Sequence, residues 1–176
     1  MFIEQKVVLT GAPASGKTTL LNIVNHAEIS CYSEVSRAII SAAQAKGIHR
    51  PFLESPLAFS ETIFENRLHD YFMESTLPVQ LYDRGIHDVV AYLHESGYDI
   101  PCGMELDCTN FTYDKVFVLP PWEAIFEQDT QRMENFNESE KNHLALIETY
   151  ATYGMECIEV PRVSIAKRRA FILENL

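Results

Sequence analysis

The sequence has no C-x-x-C pair, no apolar run near the length of a membrane span and no run of basic residues that would form a stripe. Its four cysteines also have no histidine at metal-ligand spacing, which favours reduced thiols over a zinc site or a disulfide framework. A bilayer crossing needs about 20 consecutive apolar residues, and the acidic Glu4 is not typical of a secretory leader. We therefore expect a cytoplasmic protein without a membrane partner.

Positive charge is scarce, and the formal net charge at neutral pH is −11. Such a protein repels a nucleic-acid backbone, so we expect no nucleic-acid partner. An anionic ligand would need a local positive site made of backbone N–H groups, basic side chains and a divalent cation. The length of 176 residues suits one hydrophobic core, and we expect a single domain over residues 1–176.

Short apolar stretches alternate with segments of helical periodicity. The expected strands lie near residues 6–10, 29–33, 77–82, 115–119 and 155–160, with a helix after each. This alternation predicts an α/β fold, in which a five-stranded parallel sheet has helices on both faces. Ligands bind such sheets at the carboxyl ends of the strands, where Gly11, Glu34, Asp83 and Pro120 would meet.

Three segments are less regular. Residues 48–56 contain Pro51 and Pro56 and are predicted to form a loop. Residues 97–112 have no clear pattern. Asn137 is placed to cap a helix over 138–153, with an acidic residue three positions later that would complete a capping box.

One segment matches a specific chemical pattern. Gly11-x-x-x-x-Gly16-Lys17-Thr18 is a Walker A sequence without substitution, and it lies between an apolar strand and a helix. Its glycines let backbone N–H groups point at a phosphate beside a helix N-terminus. Lys17 would span the β- and γ-phosphates, and the Thr18 hydroxyl would bind Mg²⁺. The predicted nucleotide-binding residues are Gly11, Ala12, Pro13, Ala14, Ser15, Gly16, Lys17, Thr18 and Thr19.

The sequence gives weaker evidence about which base the nucleotide carries. No N-K-x-D or T-K-x-D segment of the kind that binds guanine is present. Its absence favours ATP over GTP. Pro161–Arg169 would lie near the adenine, with Arg162 or Val163 as contacts. Lys167, Arg168 and Arg169 are expected to form a basic surface near a helix C-terminus.

Charged residues follow two other predicted strands. Asp83 could serve as a magnesium ligand, directly or through water, or accept the proton of an attacking hydroxyl, while Arg84 could neutralise phosphoryl charge. A surface Asp-Arg-Gly turn is the alternative. Glu34 and Arg37 would share a helix face on the acceptor side of the site, or would form a surface ion pair.

A polar segment follows Pro120-Pro121. We expect a lid over about residues 120–140, which would bring Arg132 to the transferring phosphate, with Asp129 nearby. An exposed polar loop is the alternative.

Several motifs together resemble one known family. They are TGAPASGKTTLL at 10–21, SEVSR at 33–37, YDRGIHD at 82–88, YDKVFVLPPWE at 113–123, DTQR at 129–132 and VPRVS at 160–164. In this combination the chain resembles, almost end to end, the predicted-ATPase family of AAA-type P-loop domains, which groups with the NadR-like ribosylnicotinamide kinase domain. The resemblance implies a three-layer, kinase-like P-loop fold and binding of ATP and magnesium. It also implies that Asp83, Glu34 and Arg132 lie near the acceptor and the lid.

Two functions remain as hypotheses. A small-molecule kinase would transfer the γ-phosphoryl group of ATP to a hydroxyl acceptor such as a nucleoside, with Lys17, Arg132 and Mg²⁺ stabilising the phosphoryl charge and Asp83 or Glu34 orienting the hydroxyl. Glu34, Arg37 and Arg84 would contact that acceptor. The alternative is a nucleotide-binding switch or slow ATPase, acting on ATP or GTP, that regulates a partner. A hexameric motor is disfavoured by the short chain and by the lack of a long apolar run ending in Asp-Glu.

Overall fold

The computed structural model describes residues 4–12, 15–24, 28–45, 47–125 and 136–176. Within these ranges five strands form one parallel sheet in the order β2-β3-β1-β4-β5. The strands are β1 (Gln5–Gly11), β2 (Ile29–Tyr32), β3 (Val79–Asp83), β4 (Lys115–Leu119) and β5 (Cys157–Glu159). The five-stranded parallel sheet predicted from the alternating pattern is confirmed.

Eight α-helices connect or flank these strands in the described ranges. They are α1 (Lys17–Val24), α2 (Ser36–Ala45), α3 (Pro51–Glu54), α4 (Pro56–Tyr71), α5 (His87–Glu95), α6 (Cys102–Asn110), α7 (Phe136–Thr152) and α8 (Ile165–Glu174). A short 3₁₀ turn, Glu123–Ile125, follows β4. None of the helices in this part of the chain has the length and apolarity needed to cross a bilayer.

The sheet is apolar on both faces because helices cover both. Alternate side chains of β1 point to opposite sides: Val8 packs in one apolar cluster, and Val7 and Leu9 pack in the other. The Val8 cluster includes residues of α4, α5, α6 and α7, whereas the Val7 cluster includes residues of α1 and α8. Burial on both faces explains why β1 and β4 are nearly continuous runs of apolar residues.

Three local predictions differ from the structure. The segment predicted as a loop over 48–56 contains α3, which has Pro51 in its first turn, where a proline needs no backbone N–H. Helix α6 forms within the unpatterned segment 97–112, and it buries only Met104 and Cys108, so its periodicity is weak. Asn137 is the second residue of α7 and therefore not its cap.

The strand order determines which strand ends are neighbours. β1 lies at the centre, between β3 and β4, and Leu9 pairs with Asp83. β2 is the next strand beyond β3, and Glu34 follows its last residue by two positions. The carboxyl ends of β1, β2 and β3 thus bring Gly11, Asp83 and Glu34 to one edge of the sheet.

Candidate functional site

The phosphate loop connects β1 to α1. Gly11 has a φ of 152°, and a Cβ there would lie 2.7 Å from the carbonyl oxygen of Leu119 in the neighbouring strand. Gly16 has a φ of 85°, in the left-handed region that favours glycine. Pro13 and Ala14 lie outside the described residues, while Ala12, Ser15 and Gly16 line the cavity in front of the loop. The two glycines are therefore required by backbone geometry and by close packing.

Lys17, the first residue of α1, is 7% exposed, and its Nζ lies 3.5 Å from Oδ1 of Asp83. Burial and the nearby Arg84 guanidinium lower the pKa of Lys17 to about 8, although the carboxylate of Asp83 opposes this. Thr18 and Thr19 are exposed and line the same cavity. The ammonium group is thus held in a poorly solvated position, where the phosphates of a ligand would compete with Asp83 for it.

Asp83 ends β3 beside the phosphate loop. Burial raises the pKa of its carboxyl group, the charge of Glu34 acts in the same direction, and Lys17 opposes both. Its Oδ1 is buried and accepts no hydrogen bond. Asp83 does not itself line the cavity, but its ion-pair partner Lys17 does. Its carboxylate therefore keeps an unused acceptor close to the expected position of the phosphates.

Glu34 and Arg84 form an ion pair that lines the cavity. Arg84 Nε lies 3.2 Å from Oε1 of Glu34, and the Ser36 hydroxyl donates to the same oxygen at 2.7 Å. Burial alone would raise the pKa of Glu34, but Arg84 and Lys17 lower it to about 2. Glu34 is therefore ionised at neutral pH and faces the cavity.

The prediction that Glu34 and Arg37 share a helix face is wrong. Helix α2 begins at Ser36, so Glu34 precedes it in extended chain. The ion-pair partner of Glu34 is Arg84, which directly follows β3, the next strand of the sheet. The side chain of Arg37 lies outside the described part of the structure, as do Asp129 and Arg132.

Two buried charged residues at the site were not predicted. Asp88, in the first turn of α5, is 5% exposed and pairs with Arg84, four residues earlier. Arg67 of α4 is 7% exposed and donates from Nη1 to the Gly85 carbonyl at 3.0 Å. Two features of the sequence could have indicated these residues: the i,i+4 spacing of Arg84 and Asp88, and the position of Arg67 on the same helical face as Ile63.

Arg168 was predicted as part of a basic surface, and that prediction is wrong for this residue. It is 1% exposed and donates from Nη1 to the Ser15 carbonyl of the phosphate loop at 3.1 Å. Its guanidinium lies 4.8 Å from the centre of the Trp122 ring. The reason is that α8 packs against α1, which turns the face carrying Arg168 inward and leaves Lys167 exposed.

One cavity of about 960 Å³ joins these groups. Trp122, Val163, Ser164 and Arg168 line it beside the phosphate loop. Arg162 instead donates to the carbonyl of Pro121. Another part of the lining is partly apolar and partly charged; it includes Phe52, Phe59, Ile63, Tyr92, Glu34 and Arg84. The phosphate loop and the Glu34–Arg84 pair thus open into the same space.

The residues fit a magnesium ion bound together with a nucleotide. No group of three histidine, cysteine or carboxylate side chains at metal-ligand distance occurs in the described ranges. Magnesium does not require one, because it keeps several waters and is usually bound through phosphates with one or two protein oxygens. Thr18, which is exposed, and Oδ1 of Asp83, which accepts no hydrogen bond, supply oxygens of that kind.

Comparisons with solved structures show the same fold. Two structures of deoxyadenosine kinase from M. mycoides, one with bound dATP and one with the products dCMP and a flexible dCDP, are 13% and 12% identical, each with a TM-score of 0.68. Each match covers 97% of this chain and 98% or 97% of the kinase chain. NadR protein in complex with NR gives a TM-score of 0.69 at 14% identity, over 98% of this chain and 50% of that one. This chain thus spans about half of the NadR chain.

The sequence comparisons are consistent with this fold. None of the curated proteins matches the chain. A family model described as an AAA domain matches residues 6–168, from the start of β1 to Arg168 in α8. That range includes the phosphate loop, the Asp83–Arg84 turn and every described residue that lines the cavity. The chain therefore belongs to this AAA-domain family.

Proposed function

We propose that the protein is a small-molecule kinase, which transfers the γ-phosphoryl group of ATP to a hydroxyl acceptor such as a nucleoside. The observation that carries the proposal is the single cavity that joins Lys17 in the phosphate loop to the Glu34–Arg84 pair. A protein that only bound a nucleotide would need the phosphate loop, but it would not need the further part of the cavity beside Glu34. The compartment beside Glu34 provides space for an acceptor within reach of the transferred group.

The phosphate loop would hold the triphosphate. Its backbone N–H groups and the N-terminus of α1 provide a positive site in a protein whose net charge is −11. Lys17 would leave Asp83 and bind the β- and γ-phosphates, and Thr18 and Asp83 would hold Mg²⁺. Bound magnesium would neutralise charge on the transferring phosphoryl group.

The acceptor compartment suits a molecule with an apolar ring and a hydroxyl group. Phe52, Phe59 and Ile63 provide an apolar surface, and Glu34 provides an ionised acceptor of hydrogen bonds. The solved structures with this fold include a deoxyadenosine kinase and a protein in complex with NR, which supports a nucleoside-like acceptor.

In the proposed reaction the acceptor oxygen attacks the γ-phosphorus, the bond to the β–γ bridging oxygen breaks, and ADP leaves, while the proton of the acceptor hydroxyl would pass through Glu34 to solvent. Glu34 would orient the acceptor hydroxyl by accepting its hydrogen bond, and Arg84 and Lys17 would stabilise the charge on the phosphoryl oxygens. Arg132, which lies outside the described residues, would add a further positive charge. Such a reaction depends on positioning and charge stabilisation more than on a strong base.

The test is ADP release measured across a panel of nucleosides and sugars. We expect turnover that requires one acceptor class, and we expect Asp83→Asn and Glu34→Gln to reduce it by at least about a hundredfold. Asp83→Asn should still bind ATP, because the loop amides and Lys17 remain. The exposed Asp99→Asn serves as the control and should leave turnover unchanged.

The competing function is a nucleotide-binding switch or slow ATPase. ATP bound tightly by the wild-type protein, together with ADP release that no acceptor increases, would refute the kinase proposal and support the switch.

A further inference from the structure

The carboxylate of Asp88 accepts hydrogen bonds from four donors. Oδ1 accepts from the Thr10 hydroxyl and from Arg84 Nη1, the latter at 3.3 Å. Oδ2 accepts from the Gly85 backbone N–H at 2.9 Å and from the Tyr150 hydroxyl at 2.6 Å. Both oxygens are already used, so this carboxylate is arranged to hold its neighbours and not to accept a proton from a substrate.

One of these neighbours has an unusual backbone conformation. Arg84 has a φ of 76°, a backbone angle that residues with a Cβ rarely adopt. The next residue, Gly85, is held at both of its backbone polar groups: Asp88 accepts from the Gly85 N–H, and Arg67 donates to the Gly85 carbonyl at 3.0 Å. Because the surroundings hold the turn in this conformation, it persists despite its intrinsic cost.

Asp88 also lies between the two halves of the site. It binds Thr10, the residue before Gly11 and the phosphate loop. It binds one nitrogen of the Arg84 guanidinium, while another, Nε, lies 3.2 Å from Glu34 on the acceptor side. Asp88 therefore connects the strand that carries the phosphate loop to the ion pair that faces the acceptor.

We propose that Asp88 is a positioning residue, which fixes the Arg84 guanidinium so that it can serve the acceptor and the transferring phosphoryl group. The kinetic part of this inference rests on the proposed kinase function. Loss of Asp88 should impair phosphoryl transfer much more than nucleotide binding. The backbone of Thr10 is held independently of Asp88 by its pairing with Val118, so the phosphate loop keeps its support.

The first measurement compares Asp88→Asn with the exposed control Asp99→Asn. Removal of a buried charge-assisted hydrogen bond should lower the kcat of acceptor-dependent ADP release by about tenfold to a hundredfold. The Kd for ATP should change by less than about threefold, since Asp88 contacts none of the loop amides that the structure describes. A loss of ATP binding as large as the loss of turnover would overturn the proposal, because it would indicate a purely structural role.

The second measurement does not depend on catalysis. Hydrogen exchange of the Arg84 Nε–H can be followed by NMR and assigned by its disappearance in Arg84→Lys. We expect exchange at least about tenfold faster in Asp88→Asn than in the wild type and in Asp99→Asn, with Glu34→Gln as a positive control. If no acceptor supports turnover, the kinase proposal fails, and this exchange rate still decides whether Asp88 fixes Arg84.

A second variant covers the case in which Asp88→Asn does not fold. Tyr150→Phe keeps the carboxylate and removes one of its four donors, so it should shift kcat and Arg84 exchange in the same direction by about twofold to fivefold. The proposal would be overturned if the Arg84 Nε–H exchanged at the same rate as in the wild type in Tyr150→Phe or in a folded Asp88→Asn.

Discussion

The low pKa of Lys17 should make nucleotide binding sensitive to pH in a range where a lysine with the usual pKa of 10.5 would stay charged. Burial and Arg84 lower this pKa from 10.5 to about 8. That difference corresponds to ~3 kcal/mol of unfavourable energy for the charged form in the ligand-free protein. The side chain is 7% exposed, so little of this energy is screened by solvent.

The sign of the effect follows from which form binds phosphate. The ammonium form predominates below about pH 8 and becomes the minor form above it. Affinity for ATP should therefore be constant up to about pH 8 and then fall by about tenfold for each further pH unit. Folding stability should respond in the opposite sense, because an unfolded lysine keeps its proton up to its usual pKa. The contribution of Lys17 to the stability of the ligand-free protein should rise with pH between about 8 and 10.5.

The assay is competition of ATP against a fluorescent analogue, from about pH 7.5 to about pH 9.5, above the range in which the terminal phosphate titrates. Circular dichroism at each pH confirms that the protein stays folded. Lys17→Arg keeps its charge throughout and should bind with an affinity independent of pH. In Asp83→Asn the decrease should begin at lower pH, because Asp83 raises the pKa of Lys17. A wild-type affinity that stays constant to pH 9.5 would refute the reasoning.

Two further predictions concern the support of the phosphate loop. Gly11→Ala places a Cβ 2.7 Å from the Leu119 carbonyl oxygen, so chemical denaturation should show a loss of ~2–4 kcal/mol. Gly103→Ala, where nothing lies within 4 Å, is the matched control and should cost nothing; equal stability of the two variants would contradict the prediction. Arg168→Gln removes the hydrogen bond to the loop carbonyl and should raise the Kd for ATP by about tenfold. In the exposed Lys167→Gln that Kd should not change, and an unchanged value in Arg168→Gln would show that the loop does not need this contact.

Much of the sheet could be predicted because its signals are local. β1 and β4 are strands of seven and five residues, each with a short continuous apolar run, and the break after Gly11 is a glycine loop with a known geometry. Predictions were weaker where the local signal was ambiguous. Pro51 indicated a loop but begins a short helix, and α6 buries too few side chains to show a clear period.

The residues predicted to lie at the carboxyl ends of β1, β2 and β3 do lie at one edge of the sheet, but the ion pairs that they form were not predicted. The spacing of three residues predicts that Glu34 and Arg37 share a helix face, whereas the structure pairs Glu34 with Arg84 from the neighbouring strand. Sequence spacing identifies neighbours on one helix, whereas ion pairs between strands depend on the strand order.

The sequence alone determined the alternating strands and helices and the phosphate loop, because hydrophobic periodicity and the glycine pattern act over fewer than about 20 residues. Only the tertiary structure decided which charged residues are buried at the site. Asp88 contacts Thr10 across 78 positions of the chain, and Arg168 contacts Ser15 across 153. From the sequence alone, an isolated charged residue is predicted to be exposed. The hydrogen-bond partners that make its burial possible come together only when distant segments of the chain pack against each other.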